Sequence, residues 1–455
     1  MNLPQTSSLR ARLSGELPPT PPLPSLIQTL ACRWMPLTFF EWCRNRLGDR
    51  FTLYPLDMEP AVFLSRPDDI RAVLSAPPSV LHPGAGGAAL RPIVGDRSFM
   101  LCDGQEHMLG RKAVLPAFSA RAIETHISMV NETASREVAS WPTGSPLAVY
   151  QRVRSMSLRI ILRTVFQDER ADLRPLHDHM LSLLNVNTSF VLVEPRLRHL
   201  PGWRRIWARF TQDRKLVDRE IHTLIKRRRS APPIDDVLGR LLAARNADGS
   251  SMNDAQLRDN LVSVILAGHE TTASEITWAL QLLAHHPDVQ TRLADEIATE
   301  ESGSYMAATI QEVLRHRPVF LFAIPRVVAE PIVIGGWKYR PPAQLLACTY
   351  LLQHDTATFP DPDTFRPERF LAATPPTASH LPWGGGHKRC PGHRLATLEM
   401  RALLRAVLAD HTVSSAARQI EPPRWRSVIV TPHDGGRVVL HSRLSAHHVG
   451  PSVSR

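Results

Sequence analysis

Cysteine is scarce in this 455-residue chain, and the five present (Cys32, Cys43, Cys102, Cys348, Cys390) are scattered. That number and spacing exclude a disulfide framework, and no C-x-x-C pair is there to begin a zinc site. A cysteine that matters here matters alone, as a nucleophile or a ligand, in a reducing compartment. Long apolar runs are also missing. No stretch nears the ~18 residues that span a bilayer. The apolar stretch from Leu26 to Cys32 is closed at once by Arg33, too short for a secretory signal. Residues 1–15 hold Arg10, Arg12 and several serines with no acid, a faint transit-segment composition that no periodicity supports. The expectation is a soluble, cytoplasmic protein without a transmembrane anchor. Internal repeats and long linkers are absent too, which argues for one large domain.

What is present is ordinary globular material: 43% hydrophobic and 21% charged residues exclude a disordered or fibrous chain. Lysine and arginine outnumber aspartate and glutamate by 54 to 43, a formal charge of +11. The excess is spread along the chain rather than gathered in an arm, so it favours an acidic protein partner over nucleic acid. The proline-rich Leu17–Pro24 should run extended over the surface. Strand-like stretches at 50–54 and 61–65 flank a turn, as in a hairpin, and Gly84–Gly87 reads as a mobile loop. Helical spacing then dominates, at 124–140, 147–166 and 216–229, and strand signals return at 327–334, 345–349, 427–431 and 438–441. The pattern is mainly α with small β-sheets, an α+β chain.

Asn253 to His286 is the strongest helix signal. Asn253 and Gln256 have capping-box spacing and Pro287 ends the run. Its middle passes from wholly apolar to Gly268-His-Glu-Thr-Thr272. The glycine and the back-bonding threonines should loosen the ladder there. The outcome is either an incidental kink in a core helix or a groove where a small molecule meets an acid and a hydroxyl.

Trp383-Gly-Gly-Gly-His-Lys-Arg-Cys-Pro-Gly392 is the most informative stretch. Glycines allow close backbone approach and positive φ. His387, Lys388 and Arg389, with a helix opening after Pro391, should lower the Cys390 pKa and favour thiolate. Such a thiolate is a nucleophile or a metal ligand. A phosphate loop is excluded, because no Lys-Ser or Lys-Thr follows the glycines.

This loop resembles the haem-binding signature of the cytochrome P450 monooxygenases: aromatic, Gly, any, Gly, any, basic, any, Cys, any, Gly. Trp383, Gly384, Gly386, Lys388, Cys390 and Gly392 fill those places, with tryptophan for the usual phenylalanine and lysine for the usual arginine or histidine. Glu312-Val-Leu-Arg315 resembles the family's E-x-x-R pair. Phe365 to Phe370 resembles the segment whose arginine, here Arg369, completes a structural cluster. Ala267 to Thr272 resembles the oxygen-activating stretch of its long central helix over the haem.

The resemblance implies a single P450 domain over residues 18–442, with flexible ends at 1–17 and 443–455. It implies haem b, iron protoporphyrin IX, with Cys390 as the axial metal ligand, and His107, Arg111, Arg326, Trp383 and Lys388 holding the cofactor. Glu270 and Thr271 match the acid–alcohol pair that moves protons in catalysis. Ala267, Phe320 and Phe322 match pocket positions, and the uncharged segment Pro318–Pro325 suggests an apolar small-molecule substrate such as a terpenoid, fatty acyl chain or polyketide. About 65 residues follow Cys390. Electrons, ultimately from NAD(P)H, should therefore come from a separate ferredoxin and ferredoxin reductase, or a flavodoxin-type donor, docking near Lys388 and Arg389 on a monomer. Residues 194–216 mix tryptophan with arginine and suit either a channel lid or a membrane-surface segment. A thiol hydrolase, a peroxygenase and a haem sensor are the rival readings; the sensor and the peroxygenase fit the Glu270–Thr271 pair less well.

Overall fold

The computed structural model describes residues 17–56, 58–168, 171–185, 201–299, 303–372, 378–426 and 428–443. The expected flexible ends, apart from Leu17 and Arg443, and residues 194–200 lie outside that set. Helices dominate, with sheets of five, three, two and two strands, so the architecture is mainly α with small sheets as expected.

The long helix runs unbroken over Asp254–His285. The predicted capping box forms: the Asn253 side chain accepts from the Gln256 N–H and the Gln256 side chain from the Asn253 N–H, each at 3.0 Å. At 32 residues it is about 50 Å long. It is buried on nearly every face, which is why its sequence is apolar all round rather than amphipathic. Helix Val149–Val165 packs along it, both contributing to the largest core cluster. Gly268 has a different use from the one expected. A Cβ there would sit 2.7 Å from Ile161, so the glycine lets two helices close on each other rather than opening a groove by a kink. The threonines do bond back: Thr271 Oγ1 donates to Ala267 O at 2.8 Å.

Strands Arg50–Leu53 and Ala61–Leu64 form the expected hairpin, with Phe51 opposite Phe63. Ala61–Leu64 then pairs parallel with Gln344–Ala347, which pairs antiparallel with Arg326–Val328. The predicted strand 327–334 is thus two, Arg326–Val328 in this sheet and Ile332–Ile334 in a separate hairpin. Leu17–Pro24 is irregular, and the Pro18 and Pro19 carbonyls accept from Thr52. Gly84–Gly87 is not a loose loop: Pro83–Gly86 forms one helical turn, and a Cβ on Gly86 would lie 1.9 Å from the Pro325 carbonyl. Gly86 thus packs closely against the segment that leads into Arg326, and Gly84 against the Leu101 and Cys102 carbonyls.

Helix 201–229 begins earlier than its apolar spacing suggested. Trp207 and Phe210 stack at 5.1 Å and face the core, while Arg204, Arg205 and Arg209 are exposed. Near the end of this helix Arg228 is buried and paired with Asp236 at 2.7 Å. No described helix is long and apolar enough to cross a membrane.

Candidate active site

A cavity of about 310 Å³ lies between the long helix, the cysteine loop, the Pro318–Ile324 segment and hairpin Pro423–Pro432. It brings together Ala267, Glu270, Thr271, Phe320, Arg326, Trp383, Lys388, Cys390, His107 and Arg111, residues far apart in sequence. Phe322 does not line it. That ring packs edge-on against Phe63 at 5.8 Å and against Trp425 at 6.0 Å, in the second core cluster. In an extended strand Phe320 and Phe322 would share a side, but the chain bends at Leu321 and Phe322, and Phe322 falls on the core side.

The cysteine loop owes its path to two left-handed glycines, Gly384 (φ 63°) and Gly386 (φ 62°). Gly386 is also pressed on the Leu74 carbonyl, which a Cβ would meet at 2.0 Å. The Cys390 N–H donates to Trp383 O at 2.9 Å, closing the loop, and helix His393–Asp410 follows. Burial pushes the Cys390 thiol up, against the N–H groups of Gly392 and His393 and the charges of Arg111 and Arg389. The basic flanks therefore do not by themselves yield a thiolate. His387 and Arg389 are exposed, and Lys388 turns inward.

Four basic side chains rim the cavity on this side. Lys388 Nζ donates to Cys102 O (2.7 Å) and Met100 O (3.1 Å) and lies 2.9 Å from His107 Nδ1. His107 Nδ1 is 2.8 Å from Phe99 O, and Nε2 is 3.2 Å from His387 O. Arg111 donates to Arg389 O at 2.6 Å, and Arg326 to Ile324 O. Among the described residues none of the four has a carboxylate within ion-pair range. Burial lowers the Lys388 pKa to about 8 and that of Arg326 to about 10, with the Asp103 charge offsetting part of this in both. Arg326 and Arg111 lower Lys388 further. Arg326 with the half-buried Lys388 and Arg111 forms a cluster of like charge around a His107 that burial keeps uncharged, and such a cluster is costly unless an anion joins it.

The opposite wall is built differently. Glu270 accepts from Arg154 Nε and, at 2.5 Å, from the Tyr150 hydroxyl. Burial opposes its ionisation, but Arg154, His269 and Arg426 outweigh burial and hold the carboxyl well below the usual range. Two further acids line the cavity without such partners. Glu275 accepts the Val319 N–H at 2.7 Å, and Glu399 accepts from Ser157 Oγ at 2.7 Å. Burial pushes each up to about 8, against those single hydrogen bonds.

Behind the loop, Arg315 grips Glu312 with two hydrogen bonds of 2.7 and 2.8 Å, both side chains fully buried, and Arg369 adds a third at 3.1 Å. Arg315 also donates to Gln353 O, while Gln353 Oε1 accepts the Leu381 N–H at 3.1 Å. The cluster thereby steadies the chain two residues before Trp383.

Sequence reasoning missed Tyr150, Arg154, Glu275, Glu399 and Arg426. Tyr150 and Arg154 carried a signal: they sit one turn apart on the buried stripe of helix 149–165, where a charge has to be paired.

The sequence pattern that defines the Cytochrome P450 family matches residues 17–440. The chain belongs to the cytochrome P450 family. It is 32% identical over 433 residues to "Putative cytochrome P450 135B1" of Mycobacterium bovis, covering 93% of this chain and 91% of that protein. It is 31% identical over 399 residues to "Putative cytochrome P450 137" of Mycobacterium tuberculosis, covering 87% and 83%. Its fold is similar to that of retinoic acid-bound cyanobacterial CYP120A1, with a TM-score of 0.81 at 23% identity over 94% of this chain and 99% of that one. As a member of this family the protein is a haem-thiolate monooxygenase. The cavity fits that cofactor. Among the described residues no group of three or more His, Cys, Asp or Glu is placed to hold a metal ion by itself. The unpaired cations of the rim suit a dianionic edge.

Proposed function

We propose that this P450 inserts one atom of dioxygen into an apolar small molecule. Cys390 would ligate the iron, and Arg326, Arg111, His107 and Lys388 would face the propionates. The observation that carries this is Cys390 in an apolar-walled cavity whose cysteine-side rim holds cations without carboxylates. Bound through a thiolate, iron porphyrin supplies dioxygen activation and O–O cleavage. The chain's own residues do the rest. Trp383 covers the loop on the cysteine side, its ring 6.2 Å from that of His393. Thr271 holds a proton on Oγ1 at the cavity face. Glu270, ionised at rest, takes up a proton and passes it on through water once it leaves Arg154. Val319, Phe320, Ala323, Ile324 and Ala267 exclude water and orient the substrate.

Electrons would come from NAD(P)H through a ferredoxin or flavodoxin-type partner. Exposed Arg389 and His387 suit an acidic surface. Lys388 is spent on main-chain carbonyls and leaves that face. The Glu270–Thr271 pair favours dioxygen over a peroxygenase or sensor role.

The test is the reduced carbon monoxide spectrum. The purified protein should give the thiolate-type band, and Cys390→Ser should lose it. An imidazole-type band in fresh protein, or a thiolate-type band that survives in C390S, refutes the reading.

A further inference from the structure

The wall opposite the cysteine loop has more positive charge and more N–H donors than its one carboxylate can use. Arg154 is fully buried and committed to Glu270 and to the Asn185 side chain, yet its Nη2 has no acceptor. Arg426, on strand Pro423–Arg426, lines the cavity and leans on the Tyr150 ring at 5.3 Å. Its Nη2 donates to Leu184 O at 3.2 Å. Its Nε is 3.5 Å from Glu270 Oε2, in ion-pair range but making no hydrogen bond, and Nη1 donates to nothing among the described residues. No other carboxylate in that set reaches either guanidinium. Glu275 and Glu399 do not restore the balance, since burial pushes each up to about 8, more than its one hydrogen bond offsets, and leaves it largely uncharged at neutral pH. Two guanidiniums thus face one carboxylate, and the less buried of them, Arg426 with a 30% exposed side chain, is the one at the cavity. Around it the lining is apolar: Leu184, Ile161, Val319, Val428 and Ile429.

We infer that Arg426 receives a carboxylate of the substrate, so that this P450 acts on apolar acids rather than neutral hydrocarbons. The end of the guanidinium offers Nη1 and the remaining N–H of Nη2 to two carboxylate oxygens while Nε stays toward Glu270, a geometry a lysine or a hydroxyl would not match. Docking the acid there fixes one end of an apolar molecule and presents its body to the cofactor side.

The inference rests on the monooxygenase reading, so each preparation is first shown to give the thiolate-type carbon monoxide band; failure there sinks that reading and not this one. Saturated fatty acids of 12 to 16 carbons and their methyl esters are then titrated, binding being read both by the haem spectral shift and by the rise in melting temperature. The acids should bind at least about tenfold tighter than the esters. Arg426→Gln should bring the ratio close to one, and Arg426→Lys should keep part of it. A merely structural arginine would weaken acid and ester together and leave the ratio standing. Equal binding of acid and ester by the wild type, binding of neither, or an undiminished ratio in R426Q overturns the proposal.

Discussion

The two sides of the cavity handle buried charge in opposite ways. On the cysteine side, Arg326, Arg111, Lys388 and His107 crowd together with no carboxylate in ion-pair range, and burial lowers the pKa of each. Across from them, Glu270 is ringed by Arg154, Arg426 and Tyr150 and stays ionised. The Arg154–Glu270 pair is matched within the chain, and removing one member leaves the other stranded. Charge of one sign held together without a counter-ion is unfinished, and its missing partner is supplied from outside. The contrast separates charge matched within the chain from charge whose partner comes from outside it.

Deleting a member on the paired side should therefore have the largest effect. Glu270→Gln strands Arg154, whose side chain has no solvent exposure. Loss of one partner of a buried pair costs about 3–5 kcal/mol, so denaturant melts of the E270Q holoprotein should shift by that order. Adding Arg154→Met should restore most of the loss. A Glu270→Gln change below about 1 kcal/mol would mean that the pair is not what anchors this wall.

The same deletion on the rim should split by state. Arg326→Gln removes a 5% exposed cation from a like-charge cluster. Stability of the haem-free protein should hold or rise slightly, while haem should leave faster by roughly tenfold or more, as for loss of a charged hydrogen bond worth ~1.5–3 kcal/mol. Haem transfer to an excess of an apo-globin acceptor measures this. Unchanged retention, or a destabilised haem-free protein, would erase the distinction between the two sides.

How far the sequence revealed these sides depended on spacing. The cysteine loop, the E-x-x-R pair and the capping box are short local patterns, and their residues lie where local reading put them. Long-range pairing left fainter marks. Arg426 reaches Glu270 only because the hairpin Pro423–Pro432 folds over the long helix, and nothing in its own surroundings announces that. Glycines misled for a related reason. Gly86 and Gly268 looked like flexibility, but what they supply is missing side-chain volume opposite Pro325 and Ile161, partners far away in sequence. Phe320 and Phe322 could not be told apart until the sheet and the second core cluster fixed which of them faces inward.

Glu275 sharpens the comparison, because it lies on the same helix as Glu270 yet has no cation in range. Its carboxyl instead ties the long helix to the Pro318–Ile324 segment through the Val319 N–H, while Ser274 donates to Val430 O at 2.7 Å and Val430 N–H donates to Val319 O at 3.0 Å. Three walls of the cavity meet at this point. Burial raises the folded pKa of Glu275 to about 8, well above the ~4.3 of a free glutamate. Between those values the folded state keeps a proton that the unfolded state has released, so stability falls as pH rises from about 4.5 towards 8. Glu275→Gln keeps an acceptor for Val319 and removes the titration. The variant should match the wild type near pH 5 and exceed it by roughly 3–4 kcal/mol at pH 8. Glu399 has the same sign of shift and remains in both proteins, so the wild type and E275Q should both lose stability with rising pH, the wild type more steeply. Melting curves that run parallel from pH 5 to pH 8 would show instead that Glu275 is already ionised in the fold, and that its hold on Val319 is that of a charged group.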